Sequence, residues 1–166
     1  MARITVPEGD GGELIQVWSL SPELGAAVGA LSEAVYGERL IAPRVREVAR
    51  MRIAQINGCN VCLAWRFPEM AERGVTEQLY AHVDDPAAGD YSEQERLAIE
   101  YAEKFALDHR SIDDAFFARL RAEFSDAEIV ELTAMIGEWL AFGRFNAVLD
   151  VAEACGWAPA PASVGD

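Results

Sequence analysis

Cys59 and Cys62, in Asn57-Gly58-Cys59-Asn60-Val61-Cys62, are the residues of this chain best suited to chemistry. Two intervening residues let their sulfurs close a small disulfide loop. The Asn-Gly step before them is a turn signal that places the pair at the start of a helix. Free N–H groups and partial positive charge at that position stabilise whichever sulfur becomes a thiolate, the nucleophilic form. With only three cysteines in 166 residues, the pair points to redox chemistry before structural cross-linking. The plainer alternative is two buried thiols that pack as small hydrophobes. A zinc site is less favoured, because Cys59, Cys62 and Cys155 still need a fourth ligand such as His82 or His109, and their spacing matches no compact metal motif. Cys155 by itself reads as a packing residue near a helix end.

Charged residues flank the pair. Glu47 precedes Cys59 by twelve positions, about three helical turns back from the Asn-Gly bend. Spacing alone leaves open whether it faces the cysteines or pairs with Arg44 or Arg50 in solvent. Arg66 follows Cys62 by four positions, where one helical turn would bring its guanidinium near that sulfur. It could instead bridge to Glu69 or Glu47. His82 and His109 sit among acidic residues near expected helix ends and read as surface histidines.

The elements that carry these residues are helical. Ser92-Glu93-Gln94-Glu95 and Ser125-Asp126-Ala127-Glu128 are capping boxes. After the first, Leu97, Ala98, Tyr101, Ala102 and Phe105 form an amphipathic stripe. After the second, apolar residues from Ile129 to Leu149 cover more than one face, so that helix is either central or shared with another subunit. Its Trp139, Phe142 and Phe145 read as core or interface. Pro22 and Pro43 open helices that stop at Gly37 and at Asn57-Gly58. The cysteine helix would reach Gly74, with a kink or break at Pro68. Thr76 caps a short helix, and Asp113 begins another that reaches Phe124. No strand pattern, internal repeat or linker is visible. The expectation is one all-α domain spanning residues 1–166, with an ordered core of about 13–155 and a frayed tail after Gly156. A thioredoxin-type pair would need a βαβ context, which this pattern lacks.

Composition narrows the function classes. Hydrophobic residues make up 51% and charged residues 25%, ordinary for a globular chain. A net charge of -14 repels phosphate backbones and anionic membrane surfaces, so nucleic acid and membrane partners are disfavoured. There is no basic-then-apolar leader, no membrane-length apolar run, and an odd cysteine count. All three point to a reducing cytoplasm.

Around the cysteines the chain resembles a known family. Arg46-Glu47-Val48-Ala49-Arg50, Asn57-Gly58-Cys59-Asn60-Val61-Cys62 and Gly74-Val75-Thr76-Glu77 are similar to the carboxymuconolactone decarboxylase superfamily, closest to its alkylhydroperoxidase-D-like branch. That branch carries Glu, eleven residues, Cys, two, Cys, three, His. The similarity runs from about Pro43 to Val151 and includes both capping-box segments. It implies an all-helical trimer or hexamer acting as a thiol-dependent peroxidase or disulfide reductase, without metal or organic cofactor. The substrate would be a hydroperoxide or a disulfide, and an external dithiol would be the reductant. By position Cys62 matches the family's peroxide-attacking cysteine, Cys59 the resolving cysteine and Glu47 the carboxylate of the proton relay. Arg66 stands where the family has its histidine. Arginine stays protonated and cannot shuttle a proton, so reduced peroxidase activity is expected, with thiolate stabilisation or substrate electrostatics left to Arg66. The alternatives are a lyase acting on a lactone acid, or an oligomeric scaffold that lost its relay.

Overall fold

Prolines and glycines punctuate the chain as its sequence suggests. The computed structural model describes residues 2–37 and 39–151; Cys155 and the C-terminal tail lie outside the described residues. Helix α1 spans Glu13–Ser19 and α2 Pro22–Tyr36. Helix α3 spans Pro43–Asn57 and α4 Asn60–Ala64. After a 3-10 turn over Pro68–Arg73 come α5, Glu77–Tyr80, and α6, Glu93–Leu107. A second 3-10 turn, His109–Ser111, leads into α7, Asp114–Glu123, and α8, Asp126–Leu149. The described residues contain no strand, and no helix among them is long and apolar enough to cross a membrane.

Helix α3 lies at the centre, packed along α6 and α8. Ile53, Leu97, Leu132 and Ile136 are almost fully buried where these helices meet, each contributing about 1.5–3 kcal/mol by leaving water. Both capping boxes form: Ser92 accepts from the Glu95 amide, and Ser125 from that of Glu128. Glu95 serves twice, because its carboxylate also takes the Arg44 guanidinium at 2.5 Å and so ties the start of α6 to α3.

Helix α8 is apolar on several sides because it is central. It touches α2, α3, α4, α6 and α7 within the one chain. That burial accounts for much of its apolar composition. Large apolar side chains in solvent include Ile15 on α1, Leu24 and Leu31 on α2, and Val130 and Val148 on α8 itself.

The cysteine helix is shorter than the sequence suggests. It ends at Ala64, and Phe67, just before Pro68, is extended at φ -100°, ψ 111°. The proline ring disfavours helical geometry in its predecessor, so the expected break separates a one-turn helix from a 3-10 turn.

Candidate functional site

The α3–α4 hairpin places the cysteines. Gly58 turns the chain at φ 61°, ψ 31°, a left-handed conformation that glycine adopts without strain. Its amide and that of Cys59 bond back to Gln55 and Ala54 carbonyls, closing α3. Asn57 then pins the bend to α8: its Nδ2 donates to the Trp139 carbonyl at 3.1 Å, and its Oδ1 accepts from Arg144. Gly143 permits this, since a β-carbon there would overlap the Asn57 amide.

Cys59 and Cys62 are joined as a disulfide, with Cα atoms 5.3 Å apart. Cys59 is the N-cap of α4 and only 2% exposed; its Sγ accepts from the Cys62 amide at 3.2 Å. Cys62 is half-buried. It lines a pocket of about 570 Å³ between α1, α2, α3, α4 and α8, whose walls include Trp18, Trp65, Trp139 and Phe142. The two sulfurs are therefore unequal: one faces a chamber and the other lies behind it. With a single turn, α4 offers local N–H groups rather than a long helix dipole.

Glu47 is not a solvated helix residue. It is fully buried and forms a charged cluster within α3. Arg50 Nε donates to its Oε2 at 2.8 Å, and Arg46 Nε lies 3.5 Å from its Oε1. Tyr80, from α5, donates its hydroxyl to Oε2 at 3.0 Å. Burial, then the Glu47 charge, push the Tyr80 pKa up to about 12, so the hydroxyl keeps its proton. Burial pulls the Arg50 pKa down, but the Glu47 charge and hydrogen bond together with Tyr36 and Tyr80 outweigh it and the net shift is upward.

Arg50 connects this cluster to the cysteines. Its Nη1 donates to the Cys62 carbonyl at 2.8 Å and its Nη2 to the Trp65 carbonyl at 3.3 Å. Among the described residues no hydrogen bond or ion pair joins the Glu47 carboxylate directly to either sulfur. Glu47 reaches the cysteine segment through Arg50.

Arg66 lies beyond the end of α4, so one-turn helical spacing does not bring it to Cys62. Its Nε meets Glu77 at 2.5 Å, and its Nη1 donates to the Leu63 and Trp65 carbonyls. The guanidinium stacks over the Tyr80 ring at 4.4 Å. The Arg66 hydrogen bond holds the Glu77 carboxyl below its ordinary range. Arg66 thus bridges to Glu77. His82 and His109 are both exposed and away from this cluster.

Three residues of the site were not singled out from sequence: Arg50 as the clamp, Tyr80 on Glu47, and Glu138 in the chamber wall. Glu138 is 6% exposed on α8 and accepts from Ser32 Oγ at 2.7 Å. Burial raises its carboxyl pKa, and the Ser32 bond pulls the other way. Its sequence signal is weak: an acid flanked by Ile136, Gly137, Trp139 and Leu140 within an apolar helix.

Comparison with known proteins places this arrangement. Residues 22–104 match the carboxymuconolactone decarboxylase family. The uncharacterized protein YnjA of Escherichia coli K12 is 38% identical over 110 residues, covering 66% of this chain and 60% of that protein. The chain thus spans less than two thirds of that relative. A crystal structure from Agrobacterium tumefaciens, of a protein of unknown function proposed to be the antioxidant defence protein AhpD, superposes with a TM-score of 0.68. It is 28% identical and covers 93% of this chain and 99% of that one. The debrominase Bmp8 superposes with a TM-score of 0.69 over 86% of this chain and 77% of its own. Its 21% identity speaks to the fold alone. The chain belongs to the carboxymuconolactone decarboxylase family and has the helical fold of its AhpD-like branch.

Proposed function

We propose that the protein is a thiol-dependent peroxidase in which Cys62 attacks and Cys59 resolves. One observation carries this reading: Cys62 faces a chamber large enough for a small organic molecule, while Cys59 is buried behind it and already bonded to it. In the reduced enzyme the Cys62 thiolate attacks the terminal oxygen of a hydroperoxide. The O–O bond breaks, giving Cys62 sulfenic acid and an alcohol once the leaving oxygen takes a proton. The Cys59 thiol then displaces water from that sulfenic acid and the disulfide forms.

An external dithiol completes the cycle by attacking Cys62, the accessible sulfur. Cys59 leaves as a thiolate that accepts the Cys62 amide hydrogen, and a stabilised leaving thiolate departs faster. Glu47 contributes by holding Arg50, and Arg50 holds the Cys62 and Trp65 carbonyls. The lyase reading gains nothing from the chamber. Arg50, the guanidinium in its lining, is already taken by Glu47 and two carbonyls, which leaves no free cation there among the described residues to anchor an anionic acid.

Single Cys→Ser variants test the assignment. Reduced Cys59→Ser should still form sulfenic acid with peroxide, trapped by a dimedone-type reagent, whereas Cys62→Ser should not. Dithiol-reduced native protein should lose two thiols per chain on brief peroxide exposure. Thiols that stay free would support the silent-scaffold reading instead, and faster labelling at Cys59 would reverse the two roles.

A further inference from the structure

The chamber beside Cys62 holds a second carboxyl group that the thiol chemistry above does not use. Glu138 projects from α8 into the same space as Cys62, with Ser32 from α2 as its hydrogen-bond donor. Among the described residues, the other ionisable groups lining that space are Tyr36, Arg50 and Cys62 itself. Burial raises the Tyr36 phenol, so it stays neutral. Arg50 is saturated by Glu47 and the two carbonyls. Among the described residues Glu138 has no cationic partner, a costly arrangement for a carboxylate that is 6% exposed. The neutral acid suits this position, and a neutral acid is a proton donor.

We propose that Glu138 is the acid of this site: it protonates the oxygen that leaves when Cys62 attacks a ring-bearing organic hydroperoxide held in the chamber. The proposal rests on the thiol-peroxidase reading. The walls decide the substrate class. Trp18, Trp139, Phe142 and Leu14 give the chamber apolar and aromatic faces, and about 570 Å³ is room for a molecule with one or two rings. Hydrogen peroxide would leave those faces uncovered. The step balances. The sulfur pair forms the S–O bond, the O–O bond breaks, and the departing alkoxide takes the Glu138 proton and leaves as an alcohol. Glu138 is left as a carboxylate and regains its proton from solvent when the alcohol departs. Cys62 sulfenic acid then condenses with the Cys59 thiol and releases water. The external dithiol returns both sulfurs to thiols.

Three of the four tryptophans, Trp18, Trp65 and Trp139, line the chamber and report its occupancy. Cumene hydroperoxide is the ring-bearing probe, hydrogen peroxide the small one, and cumyl alcohol the unreactive product. Three results are expected with the dithiol-reduced protein. Cumyl alcohol changes tryptophan fluorescence saturably, and cumene hydroperoxide oxidises the thiols about tenfold or more faster than hydrogen peroxide. Glu138→Gln slows the cumene reaction by about 10²–10⁴-fold and removes the fall in rate at high pH. In Ser32→Ala the loss of a bond that lowers the carboxyl pKa moves that fall to higher pH.

Equal rates and pH profiles for Glu138→Gln and the native protein would overturn the role of Glu138 while leaving the peroxidase intact. No preference for the ring-bearing peroxide, or no effect of cumyl alcohol, would overturn the chamber. Thiols inert to both peroxides would overturn the peroxidase reading, and this inference with it.

Discussion

Replacing Glu47 with Gln should be among the most damaging single changes to this fold, although one charge and almost no volume are altered. The side chain is fully buried, with Arg50 at 2.8 Å, Arg46 at 3.5 Å and the Tyr80 hydroxyl at 3.0 Å. Gln can still accept from Tyr80, so the loss falls on the two guanidiniums, which are 4% and 2% exposed and would keep their charges without a counter-ion. Removing one partner of a buried ion pair costs about 3–5 kcal/mol. With a urea m-value of about 2 kcal/mol/M, the midpoint should fall by about 1.5–2.5 M. Circular dichroism across a urea gradient measures this on the oxidised protein. Reduction of the disulfide by dithiothreitol should also accelerate, because Arg50 would hold Cys62 and Trp65 less firmly. A variant that loses less than about 1 kcal/mol, and whose disulfide is reduced at the native rate, would refute the view that Glu47 anchors the site through Arg50.

Three other outcomes follow from the same geometry. Burial raises the Glu138 pKa, so stability linked to this group is present at acidic pH and lost as pH rises through the raised value. Glu138→Gln should therefore stabilise the protein at neutral pH and not at pH below the ordinary carboxyl range, measured by paired urea titrations. Gly143→Ala should push the Asn57 amide away from the Trp139 carbonyl; a loss of about 1–3 kcal/mol is expected, and an unchanged thermal midpoint would contradict it. The exposed side chains Leu24 and Leu31, with Leu20 just before the helix, make α2 the expected subunit contact. Sedimentation should find trimers or larger, and Leu24→Glu with Leu31→Glu should dissociate them; a native monomer would remove the oligomer proposal.

Helix limits were legible wherever a residue acts alone. Pro22 and Pro43 fix their own φ, Gly37 and Gly58 free the chain to leave the helix, and the two capping boxes close within four residues, so α2, α3, α6 and α8 begin as read. Helix α1 escaped because it has seven residues and no side-chain cap. The cysteine pair was legible from its spacing. What surrounds it was not, since each partner comes from a distant segment. Arg50 bonds carbonyls 12 and 15 residues on, Tyr80 meets Glu47 across 33, and Ser32 meets Glu138 across 106. Charge patterning puts Arg46, Glu47, Arg50 and Glu138 in solvent by default, and only mutual pairing or an enclosed chamber reverses that default. The apolar circumference of α8 was compatible with two origins, and contacts with α2, α3, α4, α6 and α7 show the first of them, a central position.

The Arg50 clamp has a consequence for how freely this site can change. It grips main-chain carbonyls at Cys62 and Trp65, and every residue type presents the same carbonyl. The grip is therefore blind to the side chains carried by the loop it holds. Val61 and Trp65 can be exchanged to reshape the chamber wall while the backbone bearing Cys62 keeps its anchor twelve positions upstream in α3. Reactivity and selectivity are in this sense separately adjustable, one written in a buried helix and the other in a single exposed turn.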